Sequence, residues 1–251
     1  MFVDKSFYRE QFLWSKEHID YDMEGLNTEL VAELQGFVKK DAKTILELGG
    51  GNGQFAAAAA LAGYDVTVIE LVPECVAHIY LLKEKYDIPD ERLTIIQGDF
   101  YKVSLEKTFD LVVYFDGFGI GSDEDQRRLL KRVASWMTDD GEAYIDIYTP
   151  WYWAKAAGER MSFDKIERIY NFDARGCRMT DTWWLTGKEE NKITQSLRCY
   201  SPADLQLLLE GISLELTHVE AGGAMDYDAW IYKEKVPLKE AMMYRVTLQK
   251  E

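Results

Sequence analysis

The spacing of apolar and polar residues changes several times along the chain. Residues 26–39 place Leu26, Leu30, Leu34, Phe37 and Val38 on one helical face. From residue 43 onwards, short apolar runs alternate with stretches of helical period. The strand-like runs occupy residues 43–48, 64–71, 92–97, 108–115 and 142–148, and the helical stretches occupy residues 53–62, 73–86 and 122–138. This alternation predicts an α/β fold with a doubly wound, mostly parallel sheet that helices cover on both faces.

The later part of the chain departs from this alternation. Ser122 and Asp125 form a capping-box pattern at the start of the helix at 122–138, and we expect the turn at Asp140 and Gly141 to end it. Residues 151–200 contain β-rich runs that predict an antiparallel insertion or cap. Ser201 and Pro202 then begin a short helix, and strand-like runs follow at 213–220 and 242–249. We therefore divide the chain into a lid and core (1–150), a cap (151–200) and a closing helix with strands (201–251).

Composition restricts the partners and the compartment. The chain has 251 residues, of which 29 are basic and 44 acidic, so its net charge is −15. Such a surface repels nucleic acids and anionic membranes. The three cysteines form no CxxC pair, which favours a reducing cytoplasm. We also see no export signal and no apolar run of membrane-spanning length. These observations predict a cytoplasmic protein with no nucleic-acid or membrane partner.

The strongest chemical signal is the segment ILELGGGNGQF at residues 45–55. Gly49, Gly51 and Gly53 form a GxGxG turn between a strand and a helix, which lets the backbone approach a ligand closely. Glu70 ends the second strand, and Asp99 follows the third strand beside Phe100. At the carboxyl ends of parallel strands, such acids can bind the ribose and the adenine of a nucleotide. A nicotinamide or flavin oxidoreductase is the main alternative, but its GxGxxG fingerprint would require a glycine where this chain has Gln54.

The segments ELGGGNGQ, VIEL and GDF together resemble the first motif, the ribose acid and the adenine site of class I S-adenosylmethionine-dependent methyltransferases, small-molecule branch. The resemblance covers residues 26–150 well and the remainder loosely. It implies a Rossmann-like methyltransferase fold, S-adenosylmethionine as the cofactor and S-adenosylhomocysteine as the product. The cofactor contacts that it implies fall on Tyr21, Glu47, Gly49, Gly51, Gly53, Glu70, Leu71, Asp99, Phe100 and Phe115.

Aromatic residues and carboxylates mark the acceptor side. Tryptophans and tyrosines after the fifth strand and in the cap predict an aromatic-walled pocket, and Asp116 and Asp181 would make it suitable for an amine. The N-terminal segment is expected to fold over the cofactor as a helical lid. The candidate catalytic residues are Asp116, Tyr148 and His18, and the candidate acceptor-binding residues are Tyr8, Trp14, Trp151 and Trp183.

These features predict methyl transfer to a nitrogen or oxygen atom of a small metabolite. A protein side chain or a tRNA as acceptor is one alternative, and a non-catalytic protein that binds the adenosyl cofactor is another. The three histidines have no metal-binding spacing, so we predict no metal. A further resemblance, to the added antiparallel sheet of sugar N,N-dimethyltransferases, implies a homodimer formed through the cap.

Overall fold

The computed structural model describes residues 5–19, 22–38 and 41–251. The helices are α1 (Lys5–His18), α2 (Thr28–Phe37), α3 (Gln54–Leu61), α4 (Pro73–Lys85), α5 (Asp123–Trp136), α6 (Pro150–Lys155) and α7 (Pro202–Leu209). The strands are β1 (Thr44–Leu48), β2 (Asp65–Glu70), β3 (Leu93–Gln97), β4 (Phe109–Tyr114), β5 (Met137–Tyr148), β6 (Arg160–Phe163), β7 (Ile166–Asp173), β8 (Arg178–Leu185), β9 (Ile193–Arg198), β10 (Glu215–Ala221), β11 (Ala224–Asp226), β12 (Ile231–Lys233) and β13 (Met243–Gln249).

Within the described residues, seven strands form a central sheet in the order β10-β13-β5-β4-β1-β2-β3. Strands β1 to β5 pair in parallel, whereas β13 lies antiparallel to both β5 and β10. Because β1 to β4 run in the same direction, their carboxyl ends all lie at one edge of the sheet. Ligands of such sheets bind at that edge.

Two apolar layers hold the sheet between its helices. Leu46 and Val112 face the layer that contains α5 and α7, whereas Ile45 and Val113 face the layer that contains α2, α3 and α4. Adjacent residues of a strand point to opposite faces, so strands buried on both faces read as continuous apolar runs. Residues 56–60 are five buried alanines, whose small side chains let α3 pack close to the sheet.

Two predicted details differ from the structure. Helix α5 begins with the expected capping box at Ser122 but ends at Trp136, because Met137 already has extended backbone geometry and pairs with Phe109. The prediction that the turn at Asp140 and Gly141 ends this helix was therefore wrong: both residues lie inside β5, where the pairing register shifts. In α2, Val31 and Leu34 are buried, whereas Phe37 is 39% exposed and lies outside the buried face.

A second sheet covers the ligand-binding edge. Strands β6 to β9 pair antiparallel over residues 160–198 and form what we call the cap sheet. Ile120, in the loop after β4, bridges to Leu197 of β9, and the Gly119 carbonyl accepts a hydrogen bond from the Arg198 amide at 2.9 Å. Helix α1 packs against both β9 and α4. The loop that follows β4, the cap sheet and α1 therefore enclose one region.

The predicted fold class is confirmed: a doubly wound, mostly parallel sheet carries an antiparallel insertion and an N-terminal helix. The division at residues 150 and 200 stays a prediction. In the part of the chain that the structure describes, every helix is too short or too polar to cross a membrane.

Candidate functional site

A cavity of about 770 Å³ lies over the carboxyl ends of the parallel strands, under α1 and the cap sheet. Its walls come from four regions: the glycine loop, the segments after β2, β3 and β4, helix α1, and strand β9. The lining residues used below are Tyr8, Gly49, Gly51, Glu70, Leu71, Asp99, Phe100, Tyr114, Phe115, Asp116 and Gln195. The structure thus brings together predicted residues that are distant in sequence, such as Tyr8 and Asp116.

The three predicted glycines of the loop have different surroundings. Gly49, Gly51 and Gly53 all have positive φ angles, of 67°, 52° and 80°, which side chains disfavour. A β-carbon at Gly51 would enter open space, whereas one at Gly53 would come within 2.6 Å of Ile79. Gly53 therefore allows close packing of helices α3 and α4, while Gly51 leaves room in the cavity that it lines.

Glu70 ends β2 and closes the glycine loop. One carboxylate oxygen, Oε2, accepts a hydrogen bond from the Gly51 amide at 2.8 Å, and Oε1 accepts from the amides of Leu71 and Val72 at 2.7 and 2.8 Å. Burial raises the pKa of Glu70, and these three amide donors oppose that effect. Glu70 is both a support of the loop and a cavity-lining acceptor.

Glu47 lies behind the glycine loop on β1 and is only 4% exposed. Its Oε2 atom is buried and has no hydrogen-bond partner within the described residues. Burial, together with the nearby charge of Glu70, raises the pKa of Glu47 to about 8. An unsatisfied buried carboxyl oxygen is costly, so this group is suited to a cationic or hydrogen-bonding ligand.

Asp99 and Phe100 follow β3 and line the cavity side by side. The Asp99 carboxylate accepts a hydrogen bond from the Tyr101 amide at 2.9 Å and pairs with Lys102 at 3.2 Å. The Phe100 ring packs against the ring of Tyr114, with 5.4 Å between their centroids. These contacts hold a carboxylate and a flat ring at the same wall.

Asp116 follows β4, lines the cavity and keeps accessible surface. It has a positive φ angle of 53°, a conformation that is rare outside glycine and occurs often at functional sites. The Tyr148 hydroxyl donates a hydrogen bond to Asp116 Oδ1. Removal of bulk water by surrounding protein raises the pKa of Asp116 to about 6, although the Tyr148 hydrogen bond opposes this rise.

Three carboxylates in this region differ in their partners. Asp146 accepts two hydrogen bonds from Arg245, at 2.8 and 3.1 Å, and Asp181 accepts two from Arg168, both at 2.7 Å. Asp116 has no lysine or arginine within ion-pair distance among the described residues. The expectation that Asp181 would offer its charge to an acceptor was wrong, because Asp181 is fully buried and already paired.

The remaining predicted residues lie in different places. Tyr8 lines the cavity. Trp14 and Trp183 belong to one apolar cluster between α1 and the cap sheet, and Trp151 donates its indole N–H to the Leu238 carbonyl at 2.9 Å. His18 lines a separate cavity with Glu17 and Asp164, and Ile19 borders both cavities.

Trp14, Trp151 and Trp183 therefore occupy packing positions, and His18 lies away from the main cavity. The remaining predicted residue, Tyr21, lies outside the described residues.

Tyr114 and Gln195 are among the cavity residues that sequence reasoning missed. Tyr114 is a buried residue at the end of β4 whose hydroxyl donates to the Gly117 carbonyl at 2.7 Å. Gln195 reaches the cavity from β9, and only the folding of the cap sheet onto the core brings it there. No motif marks Gln195 in the sequence.

No group of three or more histidines, cysteines or acids is arranged to hold a metal ion within residues 5–19, 22–38 and 41–251.

Cys75 lines the cavity, and burial raises the pKa of its thiol well above the usual value. A thiol with a raised pKa is a poor nucleophile. The site therefore offers a nucleotide-sized cavity, aromatic rings and several carboxylates, among them Asp116, which has no ion-pair partner within the described residues.

Comparisons with known proteins agree on the family. Residues 19–219 match the family described as "Methyltransferase domain". A curated relative, the cypemycin N-terminal methyltransferase from a Streptomyces species, is 27% identical over 135 residues, which are 53% of this chain and 53% of the relative. The chain thus spans about half the length of the curated relative that it matches.

Two solved structures have the same fold. The CcbJ methyltransferase from Streptomyces caelestis has a TM-score of 0.75 and 16% identity, with 99% of each chain covered. The glycopeptide N-methyltransferase MtfA complexed with S-adenosylmethionine has a TM-score of 0.58 and 17% identity, with 90% of this chain and 88% of that chain covered.

Proposed function

Because the chain belongs to the methyltransferase-domain family, we propose that it transfers a methyl group from S-adenosylmethionine to the nitrogen atom of a small amine. The observation that carries the choice of an amine is Asp116, a cavity-lining carboxylate without a cationic partner among the described residues. Neighbouring carboxylates are neutralised by arginines, so Asp116 is the one whose charge a bound ammonium group would balance.

The residues present fit the cofactor. Glu70 would accept the ribose hydroxyls, and Asp99 and Phe100 would hold the adenine. Glu47 does not line the cavity, but its buried and unpartnered Oε2 lies behind the glycine loop, from where it would accept the methionine ammonium group. Gly49 and Gly51 would let the ligand lie against the backbone, since a side chain at Gly51 would enter the cavity. When bound, S-adenosylmethionine supplies an electrophilic methyl group on a sulfonium.

Asp116 would prepare the acceptor amine for this reaction. An ammonium ion has no free lone pair, so it must lose a proton before it can act as a nucleophile. An Asp116 carboxylate with a pKa near 6 is ionised at neutral pH and can orient the ammonium and accept its proton at Oδ. The Tyr148 hydroxyl would hold that carboxylate in place, and α1 with the cap sheet would exclude water.

A thermal-unfolding and turnover experiment tests the proposal. We expect S-adenosylmethionine and S-adenosylhomocysteine to raise the Tm, and NAD and NADP to leave it unchanged. With labelled S-adenosylmethionine, small amines should accept the label, whereas phenols of similar size should not. If only phenols were labelled, the methylated atom would be an oxygen and not the nitrogen of an amine. Label in protein or tRNA would favour the macromolecular alternative, and cofactor binding without turnover of any acceptor would favour a non-catalytic protein.

The amine of a short peptide falls within this proposal. The curated relative is named as an N-terminal methyltransferase, and MtfA is named as a glycopeptide N-methyltransferase. A panel of acceptors should therefore include dipeptides with a free N-terminus beside simple amines.

We further propose a homodimer formed through the cap sheet, which light scattering of the purified protein at several concentrations would test.

Cofactor binding should release a proton at pH 7. Glu47, whose pKa is raised to about 8, is mostly protonated in the free protein at that pH. A cation bound at Oε2 favours the ionised form, so the proton leaves, and affinity should rise as the pH increases from 6 to 7.5. Calorimetry in two buffers of different ionisation enthalpy would measure about one released proton per site. Glu47→Gln should bind without this release, and equal release by both proteins would contradict the assignment.

Asp99→Ala should weaken cofactor binding about tenfold, because one hydrogen bond to a charged group is lost. Asp90→Ala is the matched control, since Asp90 is also an aspartate ion-paired to a lysine, Lys83 at 2.9 Å, but lies in an exposed turn. Titration calorimetry with S-adenosylhomocysteine would compare the two variants. Equal affinities for both would remove Asp99 from the adenine site.

A further inference from the structure

A buried polar cluster lies inside the cap sheet, with Asp181 at its centre. Asp181 is 0% exposed and its carboxylate accepts four hydrogen bonds. Arg168 donates two, from Nε and Nη2, both at 2.7 Å, Trp183 donates one at 2.9 Å, and Gln195 donates one at 3.2 Å. All hydrogen-bonding capacity of this carboxylate is used within the cap sheet.

Ring contacts add to the hydrogen bonds of this cluster. The Arg168 guanidinium lies over the rings of Tyr170 and Trp183, at 4.4 and 4.8 Å from their centroids. A buried ion pair adds little stability compared with apolar residues of the same volume. We therefore infer that the cluster positions Gln195, the one member of it that lines the cavity.

The cluster determines how the Gln195 carboxamide is oriented. A carboxylate held by two guanidinium hydrogen bonds accepts but does not donate, so Nε2 rather than Oε1 must face Asp181. The Tyr8 hydroxyl donates to Gln195 Oε1 at 3.2 Å, which agrees with this orientation. One N–H of Nε2 then has no partner within the described residues, at a position that lines the cavity.

Gln195 and Asp116 face the same cavity from connected elements. Both residues line it, and the loop after Asp116 is fastened to β9 by the Ile120–Leu197 bridge and by the hydrogen bond from Arg198 to Gly119. Arg168 and Asp181, the centre of the cluster, are also near enough to act on the pKa of Asp116, which the Arg168 charge lowers and the Asp181 charge raises. An acceptor held at Asp116 would therefore share the cavity with the free Gln195 N–H.

We propose that Gln195 is a specificity-determining residue, whose free N–H donates to an oxygen of the acceptor next to the amine held by Asp116. The acceptor class is then an amine with a hydroxyl or carbonyl oxygen on the neighbouring carbon. Amino alcohols and α-amino acyl compounds share this chemistry. The inference rests on the proposed amine methylation and adds the recognition of the neighbouring oxygen.

Paired acceptors test this inference. The probes are trans-2-aminocyclohexanol with cyclohexylamine, and phenylalaninamide with 2-phenylethylamine, and the readout is kcat/KM for S-adenosylhomocysteine formation. The preference ratio is kcat/KM for the oxygen-bearing amine divided by that for its partner. Gln195→Met should lower this ratio about tenfold in at least one pair, the value of one hydrogen bond. The oxygen also changes the basicity of the amine, but this effect is the same in both proteins and cancels in the comparison.

The matched control is Thr194→Val. Thr194 is the neighbouring residue on β9, but its side chain is on the exposed face, where it contacts the Thr182 hydroxyl at 2.8 Å. It should leave the preference ratio unchanged. Stabilisation by S-adenosylhomocysteine would verify that both variants are folded.

Each outcome has a defined meaning. A loss of preference in the aminocyclohexanol pair alone assigns a hydroxyl to the acceptor, and a loss in the phenylalaninamide pair alone assigns a carbonyl. An equal ratio in wild type and Gln195→Met would overturn the role of Gln195 while leaving amine methylation intact. If the wild type binds S-adenosylhomocysteine but methylates none of the four amines, the proposed function itself fails.

Discussion

Replacing Asp116 by asparagine should lower kcat about 100- to 1000-fold and change the cofactor Kd by less than threefold. Asparagine keeps the shape of the side chain but cannot accept the proton of an ammonium ion, and general-base catalysis contributes roughly 10²- to 10⁴-fold. Steady-state kinetics with the best amine found, together with calorimetric titration of S-adenosylhomocysteine, would measure both quantities. An equal loss of kcat and of cofactor affinity would remove Asp116 from the acceptor side.

The pH dependence of kcat gives a second readout for Asp116. Only the ionised carboxylate can accept a proton, so kcat should fall as the pH drops through about 6, the raised pKa of Asp116. Asp116→Asn should lose this acidic limb. Tyr148→Phe should keep the limb and move it to higher pH, because the Tyr148 hydroxyl stabilises the ionised form. A limb unchanged in both variants would mean that another group titrates.

A control variant with the same loss of charge separates the role of Asp116 in the reaction from the effect of net charge. Asp139→Asn makes the same change at a fully exposed aspartate of β5, which pairs with Lys250 at 3.3 Å on the surface. It should leave kcat, the pH profile and the cofactor Kd unchanged.

Gly51→Val should weaken cofactor binding at least 100-fold, which corresponds to about 2.7 kcal/mol. A β-carbon at Gly51 would meet no atom within 4 Å, and Gly51 lines the cavity where the ligand is expected to lie. The positive φ angle of 52° also strains any substituted residue, by roughly 1–2 kcal/mol, so stability will fall as well.

Gly211→Val is the matched control for that strain. Gly211 has a φ angle of 70° and also faces open space, but it follows α7, away from the residues that line the cavity. Both variants should lose a similar few degrees of Tm, and only Gly51→Val should lose the stabilisation by S-adenosylhomocysteine. Retained binding in Gly51→Val would exclude the glycine loop as part of the cofactor site.

The parallel core was predictable because its signals are local. A strand buried on both faces must be a continuous apolar run, and helix ends must satisfy their backbone groups, so Ser122 and Ser201 marked the starts of α5 and α7. The end of α5 was not predictable from Asp140 and Gly141. Pairing of Met137 with Phe109 in the sheet overrode the local turn signal.

The cavity wall at the ends of the parallel strands was also predictable in outline. Gly49, Gly51, Glu70, Leu71, Asp99, Phe100 and Phe115 all line it, since each follows a parallel strand at the same edge of the sheet. Gly53 differs, because its missing side chain makes room for Ile79, and sequence spacing does not distinguish a packing glycine from a ligand-facing one.

The sequence by itself determined the fold class, the family resemblance and the edge of the sheet where a ligand would bind, because these depend on periodicity and on short motifs. The tertiary structure alone decided which charges are free. Asp181 and Asp146 are neutralised by Arg168 and Arg245, whereas Asp116 has no lysine or arginine within ion-pair distance among the described residues. Such pairings join residues that are distant in sequence, so only the folded chain reveals them.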